Sequence, residues 1–172
     1  MNYRRIGWLT GAIIIALLPW LIERTYTIAQ ISYPYHCESR FGFKYSGADG
    51  KSAVASEGSM QLVHYKNGNG VGTYVGQLYY LDAEGNVLKK LSIHRVLEFS
   101  YQLLPGMLKS TTLMTSRIQG DEISDDDAEK YVYPGFKVGH ISFGLIVKIN
   151  RGGYAAGSSH FPRAMCTIAD KA

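Results

Sequence analysis

Residues 87–99, which read VLKKLSIHRVLEF, alternate between apolar and polar side chains. One face carries Val87, Leu91, Ile93, Leu97 and Phe99, and the opposite face carries Lys90, Ser92, His94 and Glu98. A period of two is typical of an antiparallel strand with one face in a hydrophobic core and the other in water. The segment therefore predicts a strand in a mainly β protein.

The same period returns in residues 140–149 (HISFGLIVKI). Ile141, Phe143, Leu145, Val147 and Ile149 share one face there, and we expect this face to lie in the core. Further strands are predicted at residues 40–45, 53–65, 71–81, 107–119 and 153–161, between turns rich in Gly, Asn and Asp. The predicted fold class is mainly β, with an antiparallel sheet that curls into a barrel or packs as a sandwich.

One short helix is predicted near residues 124–131. Ser124 is suited to cap its N-terminus, and the acidic residues 125–127 in the first turn favour the helix dipole. The Tyr-Pro-Gly sequence at residues 133–135 ends the helix. The three aspartates could also be considered metal ligands, but consecutive helical residues point in different directions and no calcium-loop spacing follows. We interpret them as a solvated cap.

A glycine-rich segment at residues 67–76 (NGNGVGTYVG) is similar to a phosphate-binding loop. Phosphate loops open a helix, whereas the residues that follow, TYVGQLYYL at 73–81, are β-branched and aromatic and predict a strand. We therefore interpret Asn67-Gly68 as a tight hairpin turn. Gly72 and Gly76 then mark a bulge or close packing within a strand.

The N-terminal region predicts a membrane anchor. Residues 6–22 (IGWLTGAIIIALLPWLI) carry no charge, Trp8 and Trp20 flank them, and Arg4 and Arg5 precede them. The predicted organisation is a cytoplasmic tail (1–5), a single-pass transmembrane helix (6–22), a stalk (23–36) and an exported β domain (37–172). A cleaved signal peptide is the alternative, but no A-x-A-like cleavage site follows. A buried core helix would need a polar face, which the segment lacks.

The chain has only two cysteines, Cys37 and Cys166, near the two ends of the β domain. In an oxidising compartment, an even number of cysteines in such positions predicts a disulfide. The alternative is two unrelated thiols, which would be unusual in an exported domain. We expect the disulfide, and it would set the domain limits at about residues 35–167.

No motif in the chain predicts catalysis. There is no G-x-S-x-G or H-E-x-x-H sequence, and no carboxylate pair can be argued from the spacing of the acids. We expect no enzymatic activity and no cofactor. Half of the net charge of +4 arises from the N-terminal edge, and the +2 that remains is too small for a nucleic-acid footprint, so we expect no direct binding of nucleic acid.

Two features remain as candidates for binding or sensing. His64 shares a predicted face with Met60 and Leu62, so it is either an ordinary core histidine or one whose protonation disturbs packing. We take it as the candidate pH-sensing residue. The Ser- and Thr-rich strand at residues 109–117 could line a partly polar ligand cavity of a small barrel, or it could face water or another protein.

The anchor at residues 6–22, the positions of Cys37 and Cys166, the glycine-punctuated strand at 68–76 and the turn at 133–135 together resemble the FidL-like inner-membrane proteins. Within this family the chain is similar to the PsaF and MyfF type from fimbrial operons of enteric bacteria, and its plan is similar to that of ToxS-like accessory proteins. The resemblance implies a location in the bacterial inner membrane, with the C-terminal domain in the periplasm.

The resemblance also implies a function. Such proteins bind the periplasmic domain of a ToxR-like regulator, whose cytoplasmic part is a winged helix, protect that domain from proteolysis and help it respond to acid, bile or temperature. In some relatives the pair forms a lipocalin-like barrel that holds a ligand. The tail at residues 1–5 is too short to bind DNA or to signal by itself.

Three functions are therefore considered. The first is an accessory regulator that stabilises a membrane-bound transcription factor. The second is a lipocalin-like binder of a small amphipathic ligand, and the third is a periplasmic chaperone for fimbrial subunits. A cavity lined by residues 109–117 would favour the second, whereas an apolar edge strand open to strand addition would favour the first or the third.

Overall fold

The computed structural model describes residues 11, 13–22, 35–47, 52–104, 107–150, 153–158 and 161–168. The chain divides into two compact units, Met1–Tyr33 and Pro34–Ala172. In the first unit, residues 13–22 are helical. Within the part of the chain that the structure describes, no helix combines the length and the hydropathy needed to cross a bilayer.

Several predictions about the N-terminal region fall outside the described residues. These are the cytoplasmic tail (1–5), residues 6–10 and 12 of the anchor, and residues 23–34 of the stalk. Tyr35 and His36, the last two residues of the predicted stalk, belong to the first strand of the β domain.

The second unit is a closed barrel of eight antiparallel strands in chain order. The strands are β1 (Tyr35–Ser46), β2 (Ala53–His64), β3 (Asn69–Leu81), β4 (Val87–Leu104), β5 (Met107–Arg117), β6 (Ile141–Asn150), β7 (Gly153–Gly157) and β8 (Pro162–Ile168). Each strand pairs with its neighbours in the chain, and β8 pairs with β1 to close the barrel. The mainly β prediction is confirmed, and the barrel rather than the sandwich is correct.

Residues 153–161 were predicted as one strand, and this prediction is wrong at its C-terminal end. The chain turns after β7, where the Ser158 amide donates a hydrogen bond to the Phe161 carbonyl, and β8 then begins at Pro162. Proline is tolerated at the first residue of a strand because no ladder hydrogen bond is needed from its nitrogen.

The predicted helix is present as α1 (Asp125–Tyr131), followed by a 3-10 helix at Pro134–Phe136. The Ser124 hydroxyl accepts a hydrogen bond of 3.1 Å from the Asp127 amide, which is the expected N-terminal cap. We call residues 121–136, which contain both short helices, the inner segment.

The hydrophobic core lies between the inner face of the barrel and the inner segment. From the strands it contains Met60, Tyr74, Leu78, Ile93, Leu97 and Phe99, and from the inner segment it contains Ile123, Ala128, Val132 and Phe136. The predicted core face of β4 is thus confirmed at Ile93, Leu97 and Phe99, while Val87 is exposed.

The predicted core face of β6 is wrong. Ile141, Phe143, Val147 and Ile149 are all exposed on the outside of the barrel. Paired residues of neighbouring strands share a face, and Gly144 pairs with the buried Leu108 of β5, so the even-numbered residues of β6 face inward. The apolar alternation of β6 is real, but it points to the outside.

The glycine-rich segment forms a turn and the start of β3, as predicted. Gly68 has a φ of +82°, a conformation that glycine adopts without strain, and the Asn67 side chain accepts a hydrogen bond of 3.1 Å from the Asn69 amide. Gly76 lies under the ring of Tyr74, where an added Cβ would be 2.7 Å from the tyrosine hydroxyl oxygen. The segment is a bend followed by close packing.

Candidate functional site

The strand β1 presents an open edge in the otherwise closed barrel. Along its whole length β1 pairs with β2, from Tyr35 with His64 to Ser46 with Ala53. On its other side it pairs with β8 only from Tyr35 to Glu38. No other described strand pairs with that side of residues 39–46, and we call this stretch the β1 edge. A strand edge of this kind can accept a strand from another chain.

Aromatic side chains line the inner side of the β1 edge. The ring of Phe41 lies 5.4 Å from that of Tyr74, and the ring of Tyr45 lies 5.6 Å from that of Tyr131, measured between centroids. Phe43 lies between them and is 40% exposed, and Tyr45 is 39% exposed. An added strand would therefore meet both open backbone groups and half-exposed apolar surface for its alternate side chains.

The outer side of the β1 edge is polar. Arg40 and Lys44 are exposed there, with Gly42 between them. A shallow groove runs beside them across the outer faces of β1, β2 and β3, and Glu57, Ser59 and Gln77 contribute to its walls. The edge can therefore distinguish partner strands by charge on the outside and by apolar contact on the inside.

The disulfide between Cys37 and Cys166 lies next to the β1 edge. These residues are direct partners in the short pairing of β1 with β8, and both side chains are buried. The bridge joins residues 129 positions apart. It therefore links the first and last strands within their short paired region. Beyond Glu38, β1 and β8 are no longer paired.

Two threonine hydroxyls of β5 hold the inner segment. The Thr112 hydroxyl donates a hydrogen bond of 2.7 Å to the Gly135 carbonyl, and the Thr115 hydroxyl donates one of 2.8 Å to the Phe136 carbonyl. From the opposite side, the Ser56 hydroxyl of β2 donates to the Tyr131 carbonyl at 2.7 Å. These hydroxyls satisfy carbonyl groups at the ends of the two short helices.

Arg95 of β4 is the largest of the fully buried side chains, and sequence reasoning missed it. Its guanidinium donates to the Asp121 carboxylate at 3.1 Å, to the Asp125 carboxylate at 2.7 Å and to the Ile123 carbonyl at 3.1 Å. The Asp121 side chain is also buried, and it accepts further hydrogen bonds from the His94 amide at 3.0 Å and from Arg117 at 3.2 Å. This network fixes the start of the inner segment to the barrel.

A signal for Arg95 was present in the sequence. Arg95 falls between Ile93 and Leu97 on the apolar face of residues 87–99. Arg95 and Lys89 are the two charges on that face, and a charge in the middle of an apolar strand face predicts a buried ion pair. The acidic run at residues 125–127, interpreted as a solvated cap, supplies one of the partners, since Asp125 is an exposed capping acid that also pairs with Arg95.

His64 is a core residue at the end of β2. It is 3% exposed, and its ring makes edge contacts with the rings of Phe99 and Tyr101 at 5.0 and 5.1 Å between centroids. Burial disfavours the charged imidazolium and lowers the pKa of His64 to about 4. Whether the protein uses this histidine as a pH sensor stays a prediction.

Among the described residues, no group of three or more His, Cys, Asp or Glu side chains is arranged to hold a metal ion. Comparison of the chain with known protein families and with curated proteins found no match. Among the described residues, the β1 edge, the disulfide beside it and the buried His64 are candidate functional features.

Proposed function

We propose that the protein is a single-pass inner-membrane accessory regulator, anchored through residues 6–22. Its periplasmic barrel binds and stabilises a ToxR-like membrane-bound regulator with a cytoplasmic winged helix and helps it respond to an environmental signal such as acid, bile or temperature. The observation that carries the proposal is the β1 edge, because open backbone groups beside half-exposed aromatic rings suit an added strand from a partner protein.

Two further observations support a binding role for the exported domain. The inner face of β2–β5 is covered by the chain's own inner segment, so the partner is expected to bind at the edge or outside. The disulfide is consistent with an oxidising compartment such as the periplasm. A common anchoring membrane would raise the effective concentration of the partner, so that a modest interface suffices.

A chaperone for fimbrial subunits is the second candidate, since strand addition is also how chaperones hold pilins. The β1 edge favours this function as much as it favours the first. A lipocalin-like binder of a small amphipathic ligand receives less support, because two of the β5 hydroxyls expected to line its cavity, those of Thr112 and Thr115, are hydrogen-bonded to the inner segment.

The test is cross-linking of the tagged full-length protein on the periplasmic side of native membranes, followed by identification of its partners by mass spectrometry. Recovery of a single-pass protein with a cytoplasmic winged helix is expected. Replacement of Tyr45 by Ser should reduce that recovery several-fold, whereas Tyr65→Ser, at a similarly exposed tyrosine in the β2–β3 turn, should not. Recovery of pilin subunits, or of a small molecule without a protein, would contradict the proposed regulatory function.

A further inference from the structure

The outer side of the β1 edge presents charges of alternating sign. Arg40 and Lys44 lie on this side, and Gly42 between them has no side chain. Directly behind Gly42, its strand partner Glu57 of β2 is exposed on the same outer face. A Cβ added to Gly42 would lie 3.8 Å from the Glu57 Cβ. A strand that adds to the edge therefore meets a positive charge, a negative charge across the gap at Gly42, and a second positive charge.

The acids around the edge leave the two basic side chains without a strong ionic partner. Arg40 lies 3.9 Å from Glu38, but both side chains are more than half exposed, and a pair of this kind contributes little. Lys44 shares a shallow groove with Asp82 and Glu84 at one end of the barrel. Even so, no ion pair joins Lys44 to another described residue. Both basic residues can therefore pair with acids of an added strand.

The carboxylate of Glu57 can meet a cation that lies over Gly42. It accepts a hydrogen bond of 2.7 Å from the Tyr79 hydroxyl, and it forms no ion pair within the described part of the chain. A residue opposite Gly42 on an added strand would lie two strand spacings, about 10 Å, from Glu57. Lys or Arg at that position can reach the carboxylate, because Gly42 places no side chain between them.

The inner side of the β1 edge favours apolar residues on an added strand. Phe43 and Tyr45 are 40% and 39% exposed there, with their ring centroids 6.4 Å apart. Successive residues of a strand point to opposite faces, so the residues opposite these rings would alternate with those opposite Gly42 and Lys44. Pairs of aromatic and β-branched side chains across two strands are stabilising.

A second copy of the chain does not match this pattern. Two copies related by a two-fold axis would pair their edges antiparallel, with like faces aligned about either Gly42 or Phe43. The first register places Arg40 opposite Lys44 of the other copy, and the second places the two Lys44 side chains diagonally across the strands. Like charges at such positions are destabilising. Both registers therefore favour a strand of different sequence.

We propose that the strand which adds to the β1 edge has an acidic, a basic and an acidic residue at alternate positions on its outer face, with apolar residues between them. The acids pair with Arg40 and Lys44, and the base lies over Gly42 against Glu57. The inference rests on the proposed function for the existence of a partner strand, but it does not require that the partner is a ToxR-like regulator. The pattern is the same in both directions, so it fits a parallel or an antiparallel strand.

The experiment measures the binding of two fluorescent peptides to the full-length protein in lipid nanodiscs, by fluorescence anisotropy. The first peptide has the core Glu-Val-Lys-Val-Glu. The second has the same residues in the order Glu-Val-Glu-Val-Lys, so that composition and net charge are equal. We expect the first peptide to bind at least about five-fold more tightly, because each charge pair across two strands contributes up to about that factor.

Two charge reversals test whether the preference arises at the edge. Lys44→Glu and Glu57→Lys should each remove it, because each places a like charge against the first peptide. Lys89→Glu, at an exposed position of β4 three strands away, should retain it. Equal binding of the two peptides to the wild-type protein, binding of neither, or a preference that either reversal leaves intact would overturn the proposal.

Failure of this inference and failure of the proposed function give different results. If cross-linking in native membranes recovers a ToxR-like regulator but the protein does not distinguish the two peptides, the strand pattern is wrong and the regulatory function stands. If the peptides are distinguished as expected but a different class of protein is recovered, the regulatory function is wrong and the strand pattern stands.

Discussion

Strands β1–β4 and strands β6 and β8 belong to one barrel, but they place most of their large apolar side chains on opposite sides. In β1–β4 the outer face is mostly polar, as at Glu57, Gln77 and Lys90, and the inner face carries the core. In β6 and β8 most of the large apolar side chains are outside, as at Phe143, Val147 and Met165, and small residues such as Gly144 and Ala164 face inward. A period of two shows that a strand has an apolar face, but it does not show which side that face occupies.

The reason for the difference lies in the contents of the barrel. The inner segment packs on β2–β5 and brings its own apolar side chains, so that part of the inner face needs large hydrophobic partners. Among β6–β8, only Cys166 is fully buried within the described residues. The apolar side chains of β6 therefore add little to the core and are available to an outside surface.

The largest expected effect on stability comes from removing the disulfide that joins β1 to β8. The double replacement Cys37→Ser with Cys166→Ser should lower the free energy of unfolding by roughly 5 kcal/mol, because the bridge closes a loop of nearly the whole domain in the chain-entropy model. The loss should appear as a lower melting temperature and as sensitivity to protease. Reduced wild-type protein should behave in the same way, and an unchanged melt in both would contradict the structural role of the bridge.

The next largest effect on stability is expected at the buried Arg95 ion pairs on the inner face of β4. Arg95→Met should cost about 3–5 kcal/mol of unfolding free energy, since it leaves the buried carboxylate of Asp121 with only the partly exposed Arg117 as an ionic partner. Denaturant unfolding measures this loss. Arg40→Met, where the arginine side chain is 85% exposed, should change stability by less than about 0.5 kcal/mol. Similar small effects for both variants would show that the Arg95 network is not needed.

A smaller effect, which depends on pH, is expected at His64. Its pKa is about 4 in the folded protein, against about 6.5 in an unfolded chain, so between these values the unfolded state binds the proton and the folded state does not. Stability should be complete above pH 6.5 and fall as the pH drops towards 4, by on the order of 3 kcal/mol in total.

Chemical denaturation at a series of pH values checks this expectation. His64→Gln should remove this part of the pH dependence, because glutamine does not titrate. His94→Gln, on the outer face of β4, should retain it. If the His64→Gln variant keeps the wild-type pH profile, the acid sensitivity of the domain has another origin, and His64 is not the sensor.

The smallest effect on stability tests whether the apolar face of β6 lies on the outside of the barrel. Val147→Ser and Val75→Ser change the same residue type at similarly exposed outer positions, and each should cost less than about 0.5 kcal/mol. Ile93→Ala, on the inner face of β4, should cost about 2–5 kcal/mol. A loss at Val147 as large as that at Ile93 would mean that the apolar face of β6 lies in the core after all.

Much of the fold could be predicted because it depends on local signals. The strand positions follow from alternation, the turn at Gly68 from its need for a positive φ, and the helix from its Ser124 cap. The functional features were harder to predict from the sequence. The β1 edge exists because β8 pairs with only four residues of β1. The alternation of apolar and polar residues in either strand does not predict how many of its residues pair with the other.

The sequence by itself determined that the chain forms antiparallel strands, one capped helix and a disulfide across the ends of the domain. These properties depend on side-chain period, turn residues and cysteine number, which act over short distances or by simple count. Only the tertiary structure decided that β6 faces outward, that Arg95 anchors the inner segment and that part of β1 stays open. Each of these depends on register with a distant strand, and a shift of one residue would exchange the two faces.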